Sequence, residues 1–162
     1  MQADQKKFSK IYDTYVESIY RFIYIKVNSQ EIAQDLTSDV FLKVWKSYQK
    51  QKLKNPRAFL YTTARHTIID YYRTNKTTIS IDSVIEIEDS SQNIAKTEEI
   101  SSDIAVIQGK IKNLKEDYQN IVILRYVDDL SIAEISKVLE KSKGATRTLL
   151  SRAISELRKQ LV

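Results

Sequence analysis

Three groups of side chains in this 162-residue sequence have the types and spacings to do chemistry. Asp35 and Asp39 stand four apart, so a helix would carry both carboxylates on one face. Such a pair suits general acid–base work or pairing with a cationic partner; a solvated acidic face is the plainer alternative. Nothing nearby supplies a nucleophile or a metal partner for them. The sequence has no cysteine and a single histidine, His66, which excludes a disulfide scaffold and leaves little for a zinc or haem centre. Neither catalysis nor a cofactor is expected. The other two groups are basic. From Lys43 to Arg57 run six cations (Lys43, Lys46, Lys50, Lys52, Lys54, Arg57) with no acid between them. From Lys141 to Lys159 there are again six, against the single Glu156. Clustered cations suit phosphate, because each neutralised phosphate releases condensed counterions; a solvated basic surface is the competing reading.

The net charge of +5 is unevenly laid out. Residues 1–75 carry 13 basic and 7 acidic side chains, residues 76–103 carry 2 and 7, and residues 104–162 carry 11 and 7. Two basic segments thus flank an acidic one. With only two glycines and one proline, turn signals are too sparse for a sandwich or barrel, and the composition reads all-α. No apolar run approaches the ~18 residues of a membrane span. The start, MQADQKKFSKIYD, has no apolar core and does not read as a secretory signal. A soluble, cytoplasmic protein is expected.

The elements that would position these groups follow from periodicity. Phe8, Ile11, Tyr12, Tyr15, Ile19, Phe22 and Ile23 keep the spacing of one buried helix face. Asn28 with Glu31 resembles a capping box opening the next helix, whose stripe is Leu36, Val40 and Val44. Ser47 to Lys54 is polar, basic and aperiodic, and reads as a loop. Asn55–Pro56 restarts a helix that runs to about Arg73, asparagine at the N-cap and proline at the first helical position. Within residues 76–103 a short alternation around Ile79–Ile87 could pass for a strand but has no partner. The segment reads instead as an acidic flexible linker, reaching at most about 90 Å when extended.

After it come apolar faces from Ile104, Ile107, Ile111 and Leu114, then from Tyr118, Ile121, Val122 and Leu124. Ser131 and Glu134 make a capping box before a short helix ending near Leu139. A second helix starts near Ser142 or Lys143, with Leu150, Ile154, Leu157 and Leu161 as its buried stripe. Its opposite stripe is Thr148, Ser151, Arg152, Ser155 and Lys159, with Arg147 beside it. A short helix, a tight turn and a longer helix with a polar-basic outer face make a helix-turn-helix, although hairpins inside helical bundles look similar.

These segments together resemble the bacterial RNA polymerase sigma factors of the extracytoplasmic-function (ECF) class, over almost the whole chain. Residues 8–27 are similar to that family's first helix, and QDLTSDVFLKVW (34–45) to its core-polymerase-binding helix. PRAFLYTTARHTIIDYYR (56–73) resembles the helix that reads the minus-ten promoter element, and the stretch from Leu124 to Leu157 the helix-turn-helix of domain four. The chain departs from the pattern in places. Lys115 stands where a proline is usual, Glu140 where glycine commonly makes the turn, and Lys141 and Thr146 at apolar positions flanking that turn. Thr62 and His66 replace an arginine and an asparagine of the minus-ten helix.

The resemblance implies two small helical domains, 1–75 and 104–162, joined by the acidic linker 76–103. Asp35, Asp39 and Phe41 would bind core RNA polymerase, the carboxylates meeting arginines on the clamp helices of its largest subunit. Lys50, Lys52, Lys54, Asn55, Arg57, Arg65 and His66 would hold the minus-ten element and a base flipped from it. Tyr71 and Tyr72 offer stacking surfaces, one of them core, and Trp45 belongs to core packing. Lys143, Arg147, Thr148, Ser151 and Arg152 would meet the minus-thirty-five element, with Lys141 and Lys143 on phosphate. Promoter DNA, core polymerase and an anti-sigma factor are the implied partners. A stand-alone helix-turn-helix regulator is the main alternative, and a protein that sequesters another regulator a third; both leave segments of the sequence without a role.

Overall fold

A computed structural model describes residues 2–75 and 99–161. Among the described residues every regular element is helical, and the chain divides into two units, 1–98 and 99–162. The alternation at Ile79–Ile87 and most of the acidic linker lie outside the described residues.

The first unit is built from α1 (Gln2–Val27), α2 (Gln30–Lys50) and α3 (Pro56–Asn75). Ile19, Phe22 and Ile23 of α1, Val40 and Val44 of α2, and Leu60, Tyr61 and Ala64 of α3 are almost wholly removed from water. Phe22 meets Tyr61 edge-on at 5.4 Å. Each large apolar side chain buried this way contributes about 1.5–3 kcal/mol, so the three helices hold one another.

The connections correct two expectations. Asn28 does not open α2. It adopts a left-handed conformation (φ 54°) that closes α1, its N–H donating to the Tyr24 carbonyl at 2.8 Å. Asparagine tolerates that region better than most residues. The cap falls to Ser29, whose Oγ accepts from the Ile32 N–H at 3.3 Å. The expected loop at Ser47–Lys54 is shorter, because α2 continues to Lys50 with Tyr48 buried beneath it. Asn55 caps α3 as its sequence foretells, Oδ1 accepting from Ala58 N–H at 3.0 Å.

The second unit comprises α4 (Glu99–Ile111), α5 (Glu116–Val122), a π-helical turn (Ile123–Val127), α6 (Ile132–Leu139) and α7 (Lys143–Leu161). α4 begins inside the stretch expected as linker, since Ile100, Ile104, Ile107 and Ile111 already keep helical spacing through its serines. Lys115, before α5, takes φ −58°, the angle a proline would fix. The Ser131–Glu134 capping box closes in both directions at 3.1 Å. Glu140 sits in the left-handed region (φ 57°, ψ 44°) at the end of α6. Around it the Lys141 N–H reaches the Ser136 carbonyl at 2.9 Å and the Glu140 N–H the Lys137 carbonyl at 3.3 Å, a Schellman closure. Ser142 Oγ then accepts from the Ala145 N–H at 3.1 Å and opens α7.

The packed face of α7 is rotated from the expected Leu150, Ile154, Leu157, Leu161 stripe. Thr146 and Ala153 are fully buried, while Leu150, Ile154 and Leu157 are half-exposed; the Leu161 side chain lies outside the described ones. Small side chains at the seam let α7 lie close to its neighbours, with larger apolar groups flanking it. Thr146 tolerates burial because its hydroxyl donates to the Ser142 carbonyl at 2.8 Å.

Candidate functional site

The first surface lies on α2. Gln34, Asp35, Ser38, Asp39 and Leu42 are exposed, so both carboxylates share one outward face with an apolar side chain that is 53% exposed. Beside it opens a groove of about 500 Å³ between α1 and α2, walled by Phe8, Tyr12, Leu42 and Trp45. Phe41 differs from the two aspartates. It is buried, in edge contact with Phe8 at 6.5 Å and Tyr12 at 4.8 Å, and so shapes the groove floor rather than offering a surface. Trp45, expected in the core, is only half-buried; it packs on Phe8 at 5.0 Å and stacks on the buried Tyr48 at 6.2 Å.

The second surface surrounds the α2–α3 connection. Lys50, Lys52 and Lys54 are exposed there, Asn55 and Arg57 half-buried. His66 is exposed on the outward face of α3, eleven residues beyond Asn55 and therefore about 16 Å further along the axis. The lysines sit at the end of α2 and in the connection, and His66 well along α3, so they do not converge on one pocket. Arg65 is half-buried, its Nε removed from water without a hydrogen-bond partner. Thr62 and Thr63 turn their hydroxyls back onto the carbonyls of Ala58 (2.8 Å) and Phe59 (2.9 Å). Lys43, counted among the basic cluster, instead donates to Thr67 Oγ1 at 3.3 Å between α2 and α3. Neither Tyr71 nor Tyr72 is core: Tyr71 is half-buried and Tyr72 is exposed. The Tyr72 hydroxyl donates to the Lys26 carbonyl at 2.7 Å, fastening the end of α3 to the end of α1.

The third surface is α7. Lys143, Arg147, Thr148, Ser151 and Arg152 are all exposed, as are Lys141 in the turn and Ser155 and Lys159 further along. Thr148 spends its hydroxyl proton on the Gly144 carbonyl at 3.1 Å, leaving a methyl group and an acceptor oxygen outward. Sequence reasoning missed a groove of about 470 Å³ along one edge of this helix, where Arg125 and Arg158 join Arg147. Arg158 lies at helical spacing from Arg147 and was legible; Arg125 belongs to the π-helical turn and needed the tertiary fold. No group of three or more His, Asp or Glu side chains that could hold a metal occurs among the described residues.

Comparison with known proteins matches the chain to one family. Residues 11–78 match the model for Sigma-70 region 2, and residues 104–157 that for Sigma-70, region 4. The ECF RNA polymerase sigma factor BldN of Streptomyces coelicolor is 31% identical over 95% of this chain. The chain belongs to the ECF sigma factors. It spans 60% of the length of BldN and 91% of the ECF sigma factor SigW of Bacillus subtilis, to which it is 27% identical over 99% of its own length. Two solved structures share the sigma factor's fold at 16% identity. CnrH, solved with the cytosolic domain of CnrY, superposes with a TM-score of 0.72 over 97% of this chain and 88% of that one. The sigma factor RpoE of Bartonella quintana, solved with the anti-sigma factor NepR, gives 0.71 over 96% and 97%. Sigma factors are a non-catalytic family of transcription initiation factors, and no described helix of this one is long and apolar enough to cross a membrane.

Proposed function

We propose that this sigma factor docks on core RNA polymerase through the outward face of α2, directs it to promoters and assists duplex opening near the start site. The observation that carries the reading is the pairing, within one chain, of an exposed carboxylate face on α2 with an exposed basic face on α7. Asp35 and Asp39 meet cationic side chains of the polymerase clamp helices, and Leu42 adds apolar contact beside them. Lys50, Lys52, Lys54 and Arg57 hold the backbone of the opened minus-ten strand, with Asn55 fixing the helix start and His66 facing the element. A base taken from the stack costs a few kcal/mol, which contacts at this connection must offset. Arg65, half-buried, supports that face from behind. On α7, Lys143 contacts phosphate while Arg147, Thr148, Ser151 and Arg152 face the minus-thirty-five element. The acidic segment 76–103 links domains 1–75 and 104–162. With α4 starting at Glu99, residues 76–98 can span at most about 80 Å, which exceeds two duplex turns of about 70 Å, so both promoter elements can be held at once. An anti-sigma factor restrains the protein in the cytoplasm. The chain itself catalyses nothing and needs no cofactor, because the polymerase performs the synthesis.

The test is reconstitution with core polymerase on a promoter library. Run-off transcripts from a shared two-element promoter, absent with core enzyme alone, are expected. A footprint by the free chain at moderate salt, without transcripts on adding core enzyme, would instead favour the stand-alone regulator.

A further inference from the structure

Four charged side chains of α2 stand in one row at steps of four residues: Glu31, Asp35, Asp39 and Lys43. All four are exposed. Residues so spaced have Cβ atoms about 5–6 Å apart, and an acid four positions before a lysine is the favoured order for an ion pair. Lys43 is also the one cation of α2 three or four residues from either Asp35 or Asp39. It is therefore the helix's own competitor for a carboxylate that a cationic partner would take. Lys43 does not pair with Asp39. Its Nζ donates instead to Thr67 Oγ1 of α3 at 3.3 Å, and among the described residues neither aspartate has an ion pair. Thr67 is 3% exposed, and its hydroxyl donates to the Thr63 carbonyl at 2.7 Å. With that proton committed inside α3, the oxygen has only lone pairs left to offer, which suit an ammonium donor. An exposed ion pair is worth so little that a well-placed neutral acceptor can outbid it.

We propose that the Lys43–Thr67 bond is a positioning device, drawing the lysine off Asp39 and keeping that carboxylate open to the cationic face of core RNA polymerase. The proposal rests on the reading of α2 as the docking face and adds two residues that reading does not use. Without the bond, Lys43 swings back along its row to Asp39. There it neutralises the carboxylate and sets a like charge against the partner's cations, a juxtaposition that opposes association. Thr67 thus acts through Lys43, and Lys43 through Asp39; neither needs to touch the polymerase. Because the bond joins two helices, α3 sets the charge that α2 presents.

The experiment titrates the fluorescently labelled full-length chain with core RNA polymerase at low ionic strength. The variants are T67V, T67S, K43M and D39N, with the pairs K43M/T67V and D39N/T67V. Valine keeps the branched shape of Thr67, and the Thr63 carbonyl keeps the Thr67 N–H of the helix ladder, so no buried acceptor is stranded. T67V is expected to weaken association about two- to fivefold, the scale of one exposed pair formed and one like charge brought near. T67S, which retains the hydroxyl, and K43M should bind as the wild type does. T67V should add nothing in the K43M or the D39N background. Unchanged affinity of T67V would overturn the proposal. So would an equal T67V loss in the K43M background, the mark of a threonine needed only for packing, or a T67S loss as large as that of T67V. Undiminished binding by D39N would instead fail the reading of α2, and the proposal with it; a D39N loss beside a silent T67V would fail the bond alone.

Discussion

α2 and α7 are of similar length, 21 and 19 residues, but they are held by their units in different ways. α2 buries Ala33, Leu36, Thr37, Val40, Phe41, Val44 and Tyr48, at least one side chain in every turn. α7 fully buries Thr146 and Ala153, with Leu150, Ile154 and Leu157 half-exposed around them. A helix that forms a wall of the core offers a single narrow outward face. A helix seated along one thin seam leaves two edges open. The first suits a carboxylate face presented at a fixed angle to a large protein partner; the second suits insertion into a groove with contacts on both sides. The charge differs as well: α2 sets Glu31, Asp35 and Asp39 in its first half against Lys43, Lys46 and Lys50 in its second, whereas α7 carries five lysines and arginines against Glu156 alone.

The largest expected effect tests the burial difference itself. Leu36→Ala in α2 should cost about 2–4 kcal/mol, and Leu157→Ala in α7 about 1 kcal/mol. Trp45, the single tryptophan, reports unfolding of the first unit by fluorescence, and circular dichroism follows both units. Separate probes are needed because two units need not unfold together. Equal losses would break the comparison. Next comes specificity on α7. Arg152→Ala should lower discrimination for a matched upstream element by about 1–3 kcal/mol, whereas Lys143→Ala should weaken binding evenly across sequences and flatten its salt dependence. Competition binding of the holoenzyme to matched and scrambled duplexes separates the two. The smallest effect is at the turn that aims α7. Glu140→Gly relieves a left-handed conformation worth about 1–2 kcal/mol, partly offset by the freer unfolded chain, for a net gain of about 0.5–1 kcal/mol in chemical denaturation. A loss there would mean that the turn does not depend on that conformation.

Much of this was legible in the residues, and the failures have physical causes. The capping box at Ser131–Glu134 and the Asn55 cap were readable because each needs only four consecutive residues. The left-handed Glu140 was anticipated from the residue usual at that position of the family's turn. Asn28 was misassigned because a residue that can cap a helix can equally terminate one, and sequence offers both chances within two positions. The α7 stripe was misplaced because periodicity weights large side chains, whereas close packing there is set by small ones, Thr146 and Ala153. Phe41 is buried and Trp45 only half-buried for a related reason: spacing puts both near the buried stripe, and only the α1 aromatics Phe8 and Tyr12 decide how far each is covered. Arg125 joins the α7 groove through a π-helical turn that no local pattern announces.

The central claim is that the carboxylate face of α2 makes this chain a polymerase subunit. It is tested most directly by the affinity of the purified protein for core RNA polymerase, measured for wild type and for D35K/D39K. Both positions are exposed, so the variant should melt as the wild type does while its affinity falls by at least a hundredfold and promoter-directed run-off disappears. Undiminished association of a folded D35K/D39K variant would contradict the account.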